Sequence, residues 1–324
     1  MRRYKIPHTD LEASRIAYGC MNIGNRWDRM PLTKAEKAAA LDVIVAAYEE
    51  GINLFDHADT YMCGKSEAAF AEVWREIPDL RNKIILQSKC GIRFQGAPQK
   101  SDPPRYDFSY HHIVHSVEGS LRRLKTDYLD ILLLHRPDPL ADPEEVAKAF
   151  DELHIGGKVR YFGVSNHTAA QITLLQKSVS QPLVINQVEL SMLHAYLIDE
   201  GIIANQDRDS TALTAGTLDY CRLNNIITQA WSPVAGGKLF NPPKNSEKRV
   251  KKAAAMVTRT AEEKRTSKEA IVLAWLLRHP AGIQPIIGTT KPERVKASCL
   301  ADDVELTREE WYALFIAARG EPLP

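Results

Sequence analysis

The sequence is poor in cysteine and carries no excess of either charge. Its five cysteines among 324 residues are widely spaced and form no C-x-x-C pair, which argues against a disulfide framework or a cysteine zinc site. Lys and Arg together number 42, against 41 Asp and Glu. The net charge of +1 therefore gives no electrostatic reason to expect nucleic acid or an anionic membrane as a partner.

Long apolar segments are also missing. No stretch reaches the length needed to span a membrane, and the basic opening MRRYKIPHTD lacks the apolar run of a secretory signal. We therefore expect a cytoplasmic protein with free thiols and no membrane partner. A monomer or a weak homo-oligomer is the expected assembly.

Three common motifs for nucleotides and nucleophiles are absent as well. No G-x-G-x-x-G follows the first apolar run, which argues against a Rossmann domain as a nicotinamide site. There is no Walker A pattern and no G-x-S-x-G elbow, since GVSN at 163–166 lacks the second glycine.

Eight short apolar runs are present along the chain, separated by amphipathic stretches. They are rich in Ile, Leu and Val, as expected for strands buried on both faces of a parallel sheet. The runs lie at residues 15–19, 52–56, 83–89, 128–135, 160–165, 183–189, 226–231 and 283–288. Strands that alternate with helices indicate an α/β fold, either a (β/α)8 TIM barrel or a doubly wound sheet.

The segments between the runs predict helices and two long loops. Helices are expected over 34–50, 109–124, 143–153, 267–277 and 292–300, with an extra C-terminal helix over 307–319. Residues 4–14 are expected to form a small N-terminal hairpin. The Pro/Gly-rich segments 91–108 and 232–250 follow strand ends and indicate long loops. No composition shift marks a boundary, so residues 1–324 are expected to form a single barrel domain.

Ionisable side chains stand at the ends of three consecutive predicted strands. Asp56, Lys89 and His135 occupy these positions, and the carboxyl ends of barrel strands are where function gathers. Buried there as neighbours, Asp56 and Lys89 would stabilise each other. Each residue alone could merely cap its strand. Three together, with Tyr61 five residues past Asp56, favour a catalytic cluster.

Six segments resemble the signatures of the aldo-keto reductase family, in the right order. They are FDHADTY (55–61), IILQSK (84–89), DYLDILLLHRPD (127–138), GKVRYFGVSN (157–166), INQVELS (185–191) and IIGTTKPERV (286–295). The resemblance spans about residues 11 to 300. It implies a (β/α)8 barrel that reduces aldehydes or ketones with NADPH, and it therefore favours the barrel over the doubly wound sheet.

The resemblance assigns the proton chemistry to Asp56, Tyr61, Lys89 and His135. Tyr61 would protonate the developing alkoxide while hydride comes from the nicotinamide. A free tyrosine has a pKa of about 10 and is a poor acid at neutral pH. The Lys89 ammonium, held by Asp56, is expected to lower the pKa of Tyr61. His135 would donate a hydrogen bond to the carbonyl oxygen.

The resemblance also implies the contacts to NADPH or NADP+ at the nicotinamide end. Ser165, Asn166 and Gln187 match residues that hydrogen-bond the carboxamide. Trp231 matches an aromatic residue that stacks on the ring, where most members have Tyr or Phe.

The phosphate end of the cofactor is implied to lie along two later segments. Ser232, Val234 and Gly236 match the loop that covers the pyrophosphate. Gly288 ends the last strand, and the residues after it match the region that holds the adenosine 2′-phosphate: Thr289, Lys291 and Arg294. Because cations at a helix start oppose the helix dipole, Lys291 and Arg294 favour a bound anion there.

The turn that carries Tyr61 differs from the usual sequence of the family. His57 replaces a Thr, and Met62 and Cys63 separate Tyr61 from Gly64, so the substrate-pocket loop is altered. Trp27, Met62 and Trp231, with the loop 91–108, are expected to line an apolar pocket. Hydrophobic or aromatic carbonyl compounds are then expected to be preferred over free sugars and charged acids.

Two other classes of function stay open. Some relatives are regulatory subunits of ion channels that bind NADPH with little turnover. A metal-dependent barrel hydrolase or isomerase could use Asp56, His135 and the histidines of HHIVH (111–115). No metal site is expected, because no Asp, Glu or Cys stands at a supporting spacing. The basic run 244–252 is interpreted as a solvated helix face, since it has no interleaved aromatic residues.

Overall fold

A computed structural model describes residues 1–203 and 215–324 of the protein. Its strands, in chain order, are β1 (Arg3–Lys5), β2 (Glu12–Ser14), β3 (Ala17–Gly19), β4 (Leu54–Asp56), β5 (Ile85–Cys90), β6 (Ile92–Arg93), β7 (Arg105–Tyr106), β8 (Leu129–Leu134), β9 (Val159–Ser165), β10 (Leu183–Glu189), β11 (Ile227–Trp231) and β12 (Gln284–Ile287).

Eight of these strands close into a parallel barrel. Strands β3, β4, β5, β8, β9, β10, β11 and β12 are hydrogen-bonded in that order, and β12 pairs with β3 to complete the ring. The pairs β1–β2 and β6–β7 are antiparallel. The predicted (β/α)8 barrel is therefore confirmed, and all eight predicted runs supply its strands.

Helices follow the barrel strands on the outside. They are α1 (Lys34–Glu49), α2 (Lys65–Phe70), α3 (Val73–Glu76), α4 (Tyr110–Leu124), α5 (Pro143–Ile155), α6 (Ala169–Gln176), α7 (Tyr196–Ile203), α8 (Thr217–Leu223), α9 (Lys248–Glu263), α10 (Lys268–Leu277), α11 (Pro292–Cys299) and α12 (Arg308–Arg319). No helix in the described ranges combines the length and apolarity needed to cross a bilayer.

The predicted helices with strong start signals agree closely with the structure. Helix α1 begins after Thr33, whose side chain accepts a hydrogen bond from the Glu36 amide while Glu36 accepts one from the Thr33 amide. Helix α12 has the same reciprocal cap at Thr307 and Glu310. Such caps satisfy amide donors that the first turn of a helix leaves unpaired, so these boundaries are set locally.

The segments expected to be irregular contain additional structure. Residues 91–108 include the β6–β7 pair, and the segment 232–250 ends in the first turn of α9. Of the 16-residue helix α9, only the basic start within 244–252 was predicted to be helical. Helices α2, α3, α6, α7 and α8 were not predicted; each has eight residues or fewer. Such short segments give too few turns for the apolar periodicity to be recognised.

The barrel interior changes from apolar to polar along the strands. Because side chains alternate in direction along a strand, inward positions recur every second residue. On β5 these are Ile85, Gln87 and then Lys89. The apolar inward residues pack together with Ile6 and Leu11 of the N-terminal hairpin segment, which closes the amino end of the barrel. The polar inward residues are thereby concentrated at the carboxyl end.

Candidate active site

Four ionisable side chains meet at the carboxyl end of the barrel. Lys89 Nζ lies 2.7 Å from Asp56 Oδ2 and 2.9 Å from the hydroxyl of Tyr61. The Tyr61 and His135 rings are in edge contact, with centroids 5.7 Å apart. Strand β4 ends at Asp56 and β5 carries Lys89, while His135 directly follows β8. The structure thus brings together all four residues that the sequence suggested.

Lys89 is fully buried and donates to three acceptors. Besides Asp56 and Tyr61, it donates a hydrogen bond of 2.9 Å to the backbone carbonyl of His57. Burial alone would lower the pKa of the ammonium, but the neighbouring Asp56 and Tyr61 outweigh it and hold that pKa above its ordinary value. Lys89 therefore remains a cation next to the tyrosine hydroxyl at neutral pH.

The net pKa of Tyr61 differs from the expectation. Lys89 lowers it, as predicted, but burial has the larger effect and raises the pKa of the phenol above 10, with a smaller contribution from the Asp56 charge. The sequence cannot reveal this desolvation, because it depends on how much water the folded site excludes. The consequence is a phenol that holds its proton at neutral pH.

His135 is held in the neutral form. Burial lowers its pKa well below the ordinary value, and the positive charges of Lys89 and Arg136 act in the same direction. Its Nδ1 atom is buried without a hydrogen-bond partner in the described parts of the chain. A neutral imidazole carries one N–H group, so His135 can donate a hydrogen bond without carrying a charge.

The turn after Tyr61, which differs from the family's usual sequence, has a left-handed backbone conformation. Met62, Cys63 and Gly64 have φ values of 47°, 59° and 86°, a conformation that non-glycine residues seldom adopt. Met62 is buried against Gly24, where an added Cβ atom would lie 2.7 Å from the Met62 Cβ. The two residues between Tyr61 and Gly64 are thus absorbed in the turn, while Tyr61 itself faces the cavity.

His57, which stands where the family usually has Thr, lies behind the cluster. The His57 ring is fully buried in edge contact with Phe70, at a centroid distance of 4.7 Å. Burial lowers its pKa to about 3, with Lys89 adding to the effect. His57 is therefore neutral and serves the site through its backbone carbonyl.

Two glutamines orient Asp56. No role was predicted for Gln87, and Gln187 was expected to contact the cofactor. Gln87 Nε2 and Gln187 Nε2 donate to Asp56 Oδ1 at 2.6 and 3.0 Å. Both also donate to Gln229, which donates in turn to Gln284. Gln87 could have been recognised from the sequence, because it lies within the apolar run IILQSK and a buried amide needs hydrogen-bond partners. Gln187 was expected to bind a carboxamide, and its amide nitrogen already has two acceptors.

The other residues expected to contact the nicotinamide end of the cofactor are hydrogen-bonded to one another. Trp231 Nε1 donates to Asn166 Oδ1 at 3.0 Å, and Asn166 Nδ2 donates to Ser165 Oγ at 2.8 Å. Asn166 has a left-handed backbone, with φ of 61°. This strained position turns its side chain across the ends of strands β9 and β11, so the Trp231 ring is fixed at the cavity wall.

A cavity of about 540 Å³ opens over the cluster. All the residues expected to hold a cofactor line it: Ser165, Asn166, Gln187, Trp231, Ser232, Val234, Gly236, Gly288, Thr289, Lys291 and Arg294. Asp56, Tyr61 and His135 line it too, whereas Lys89 lies behind them. The turn at 235–237 and Arg294 also border an adjoining recess of about 460 Å³, so the space extends beyond the cluster.

The far end of this space is positively charged, but one of its cations has a partner. Arg294 Nε lies 3.1 Å from Glu269 Oε1, and the Arg294 guanidinium carbon lies 5.4 Å from the Phe240 ring centroid. The expectation of two cations that only a bound anion can stabilise therefore needs correction for Arg294. Lys291 is exposed at the start of α11 and has no carboxylate within 4 Å among the described residues.

Two residues expected in the substrate pocket do not line the cavity. Trp27 is 55% exposed and contacts Phe94 on the surface, and Met62 is buried under the turn. Sequence position alone could not reveal these orientations, because both residues belong to irregular segments. Trp231 does line the cavity, and so does Arg136, a residue of the segment 127–138 for which no role was predicted.

The histidines at 111–115 do not converge on the cluster. His111 and His115 are exposed on α4, and His112 is buried beside Ser116. Across residues 1–203 and 215–324, no three His, Cys, Asp or Glu side chains are placed to hold a metal ion.

A parallel barrel with an ionisable cluster at the carboxyl ends of its strands is the architecture of barrel enzymes. A family model described as "Aldo/keto reductase family" matches residues 15–317. The chain belongs to the aldo/keto reductase family, whose members generally use a nicotinamide cofactor.

Relatives and solved structures agree with this assignment. The chain is 39% identical to the oxidoreductase YcsN of Bacillus subtilis, over 97% of each protein. It is 37% identical to a 6-dehydroglucose reductase of Agrobacterium fabrum, over 96% of each. The structure of a glycerol dehydrogenase from Gluconobacter oxydans superimposes with a TM-score of 0.81 at 26% identity, covering 99% of this chain and 97% of that one. The protein is thus an oxidoreductase of this family.

Proposed function

We propose that this protein reduces aldehydes or ketones to alcohols with NADPH, and that Tyr61 is the general acid. The observation that carries the proposal is the position of the Tyr61 hydroxyl, which faces the cavity and lies 2.9 Å from the Lys89 ammonium. A proton donor must reach the substrate oxygen and must leave behind a stabilised anion. Tyr61 meets both requirements.

The cavity residues fit a nicotinamide dinucleotide. The Trp231 ring offers a flat aromatic surface next to the catalytic cluster, and Lys291 and Arg294 supply cations at the other end. When bound, NADPH supplies the hydride. Arg294 keeps its terminal nitrogens for a phosphate, since its pair with Glu269 uses Nε. Lys291 offers a charge that no carboxylate neutralises among the described residues, which supports NADPH over NADH.

The proton chemistry follows from the four clustered side chains, three of which line the cavity while Lys89 lies behind them. The raised pKa keeps Tyr61 protonated until a substrate oxygen becomes basic. As Tyr61 gives up its proton, the Lys89 ammonium stabilises the tyrosinate, and Asp56 keeps the ammonium in position. His135, neutral and beside Tyr61, donates a hydrogen bond to the carbonyl oxygen. No unpaired charge accumulates during the transfer.

The relatives favour turnover over a purely regulatory role. A 6-dehydroglucose reductase is among them, and this name supports including sugar aldehydes among the candidate substrates. A regulatory barrel would bind NADPH and consume little of it. A metal-dependent barrel hydrolase would lose activity on treatment with a chelator.

A spectrophotometric panel tests the proposal. The purified protein is mixed with NADPH or NADH and with aliphatic, aromatic and sugar aldehydes, and loss of the reduced-nicotinamide absorbance is followed with and without EDTA. We expect NADPH oxidation that depends on the aldehyde and is insensitive to EDTA. Tight NADPH binding without turnover of any carbonyl compound would instead support the regulatory role.

A further inference from the structure

One arginine at the catalytic end of the cavity has no counter-ion among the residues that the structure describes. Arg136 follows His135 in the chain, lines the cavity and is partly buried. Within residues 1–203 and 215–324, every other partly buried arginine has a carboxylate within 4 Å, and Arg136 has none. Removing part of the water around a guanidinium costs free energy unless a partner replaces that water.

The Arg136 guanidinium is held in place by an aromatic contact. Its carbon lies 5.4 Å from the centroid of the Trp231 ring, within the range of a cation–π contact. Its charge also contributes to the lowered pKa of His135, which places it close to the reacting end. Arginine carries five N–H donors in a rigid fork, and none of them is used in a hydrogen bond within the described residues.

Arg136 does not belong to the cation pair at the far end. The adjoining recess is bordered by Lys291 and Arg294 but not by Arg136. A cofactor whose phosphates lie near Lys291 and Arg294 and whose nicotinamide lies near Trp231 leaves Arg136 facing the substrate side.

We propose that Arg136 is a specificity-determining residue that binds an oxygen-bearing group of the substrate, a carboxylate or a hydroxyl, close to the reacting carbonyl. This inference rests on the proposed function and names the substrate class: carbonyl compounds with a hydrogen-bond acceptor near the carbonyl. It replaces the expectation of a purely apolar pocket, because two of the residues behind that expectation lie outside the cavity. Charge-assisted hydrogen bonds to guanidinium are short and strong, and a carboxylate can accept two at once.

Matched pairs of aldehydes test the assignment. Propanal is compared with D-glyceraldehyde, and butanal with succinic semialdehyde, using wild type, Arg136→Met and Arg136→Lys. For Arg136→Met we expect kcat/KM to fall about tenfold to a hundredfold for an acceptor-bearing aldehyde, the scale of a lost charge-assisted hydrogen bond. Propanal and butanal should change by less than about threefold. The aldehyde pair whose kcat/KM ratio changes shows whether a hydroxyl or a carboxylate is recognised. Arg136→Lys should restore part of the loss.

The control is Arg75→Met, because Arg75 is 75% exposed and does not border the cavity. The dissociation constant for NADPH, measured by tryptophan fluorescence quenching, should be unchanged in Arg136→Met. An equal loss of kcat/KM for all four aldehydes would overturn the proposal, and so would a weakened NADPH affinity with unchanged selectivity.

A binding measurement separates this proposal from the proposed reduction. Glycerate and succinate are titrated into the protein with NADP+, and we expect Arg136→Met to abolish the binding that wild type shows to at least one of them. If wild type binds one of these acids, Arg136→Met does not, and no aldehyde is reduced, the proposed function fails while Arg136 is still shown to bind an oxygen-bearing group. If wild type and Arg136→Met bind both acids equally, or if wild type binds neither, the assignment fails.

Discussion

Replacing Tyr61 with Phe removes one oxygen atom and leaves the ring in place. The ring keeps its edge contact with His135 at 5.7 Å, and Lys89 keeps Asp56 and the His57 carbonyl as acceptors. The cost to folding is therefore that of one hydrogen bond, about 1 kcal/mol. Loss of a general acid costs a hundredfold or more in rate, equivalent to about 2.7 kcal/mol in the barrier.

Because the expected loss of rate is larger than the expected loss of stability, the experiment separates a catalytic role from a folding defect. We expect Tyr61→Phe to lower kcat by about a hundredfold or more, with the NADPH dissociation constant within about twofold and a thermal midpoint lower by a few degrees. Tyr106→Phe is the control, because Tyr106 is 43% exposed and does not line the cavity. A kcat close to that of wild type, in a folded Tyr61→Phe protein, would refute the assignment of Tyr61 as the acid.

Three further predictions concern charge. Lys89→Met removes the cation that opposes burial at Tyr61, so the pH profile of its residual activity should shift upward; an unchanged profile with weaker substrate binding would indicate a positioning role. Arg294→Ala should weaken NADPH binding more than NADH binding in fluorescence titrations, and equal losses would mean that Arg294 does not contact the 2′-phosphate. Burial, aided by Glu67, raises the pKa of Asp59 to about 7, so the folded state favours its neutral form; that stabilisation is complete below about pH 4 and is lost as the pH rises through 7. Relative to wild type, Asp59→Asn should therefore gain on the order of a few kcal/mol in the free energy of unfolding between pH 4 and 8, and a pH-independent difference in urea titrations would contradict this.

The eight barrel strands could be predicted because their signals are local, and the family resemblance favoured the barrel over a doubly wound sheet. A strand buried on both faces needs a short run of apolar residues, and each of the eight runs became a barrel strand. The cluster of ionisable side chains could be predicted for a related reason. Parallel strands place their carboxyl ends together, so polar residues at those ends, such as Asp56 and Lys89, must become neighbours. The short helices gave no comparable signal.

Other features depend on distances between residues far apart in the sequence. Only the folded protein pairs Arg294 with Glu269 and leaves Arg136 without a carboxylate within 4 Å in the described parts of the chain. Only the folded protein buries Tyr61 enough for desolvation to exceed the effect of Lys89 on its pKa. The sequence by itself therefore determined the eight strands and the identity of the clustered side chains, because both follow from local pattern and strand direction. The family resemblance decided between a barrel and a doubly wound sheet. Tertiary structure decided their charge states and the shape of the pocket, since desolvation and ion pairing depend on what lies within a few ångströms in space.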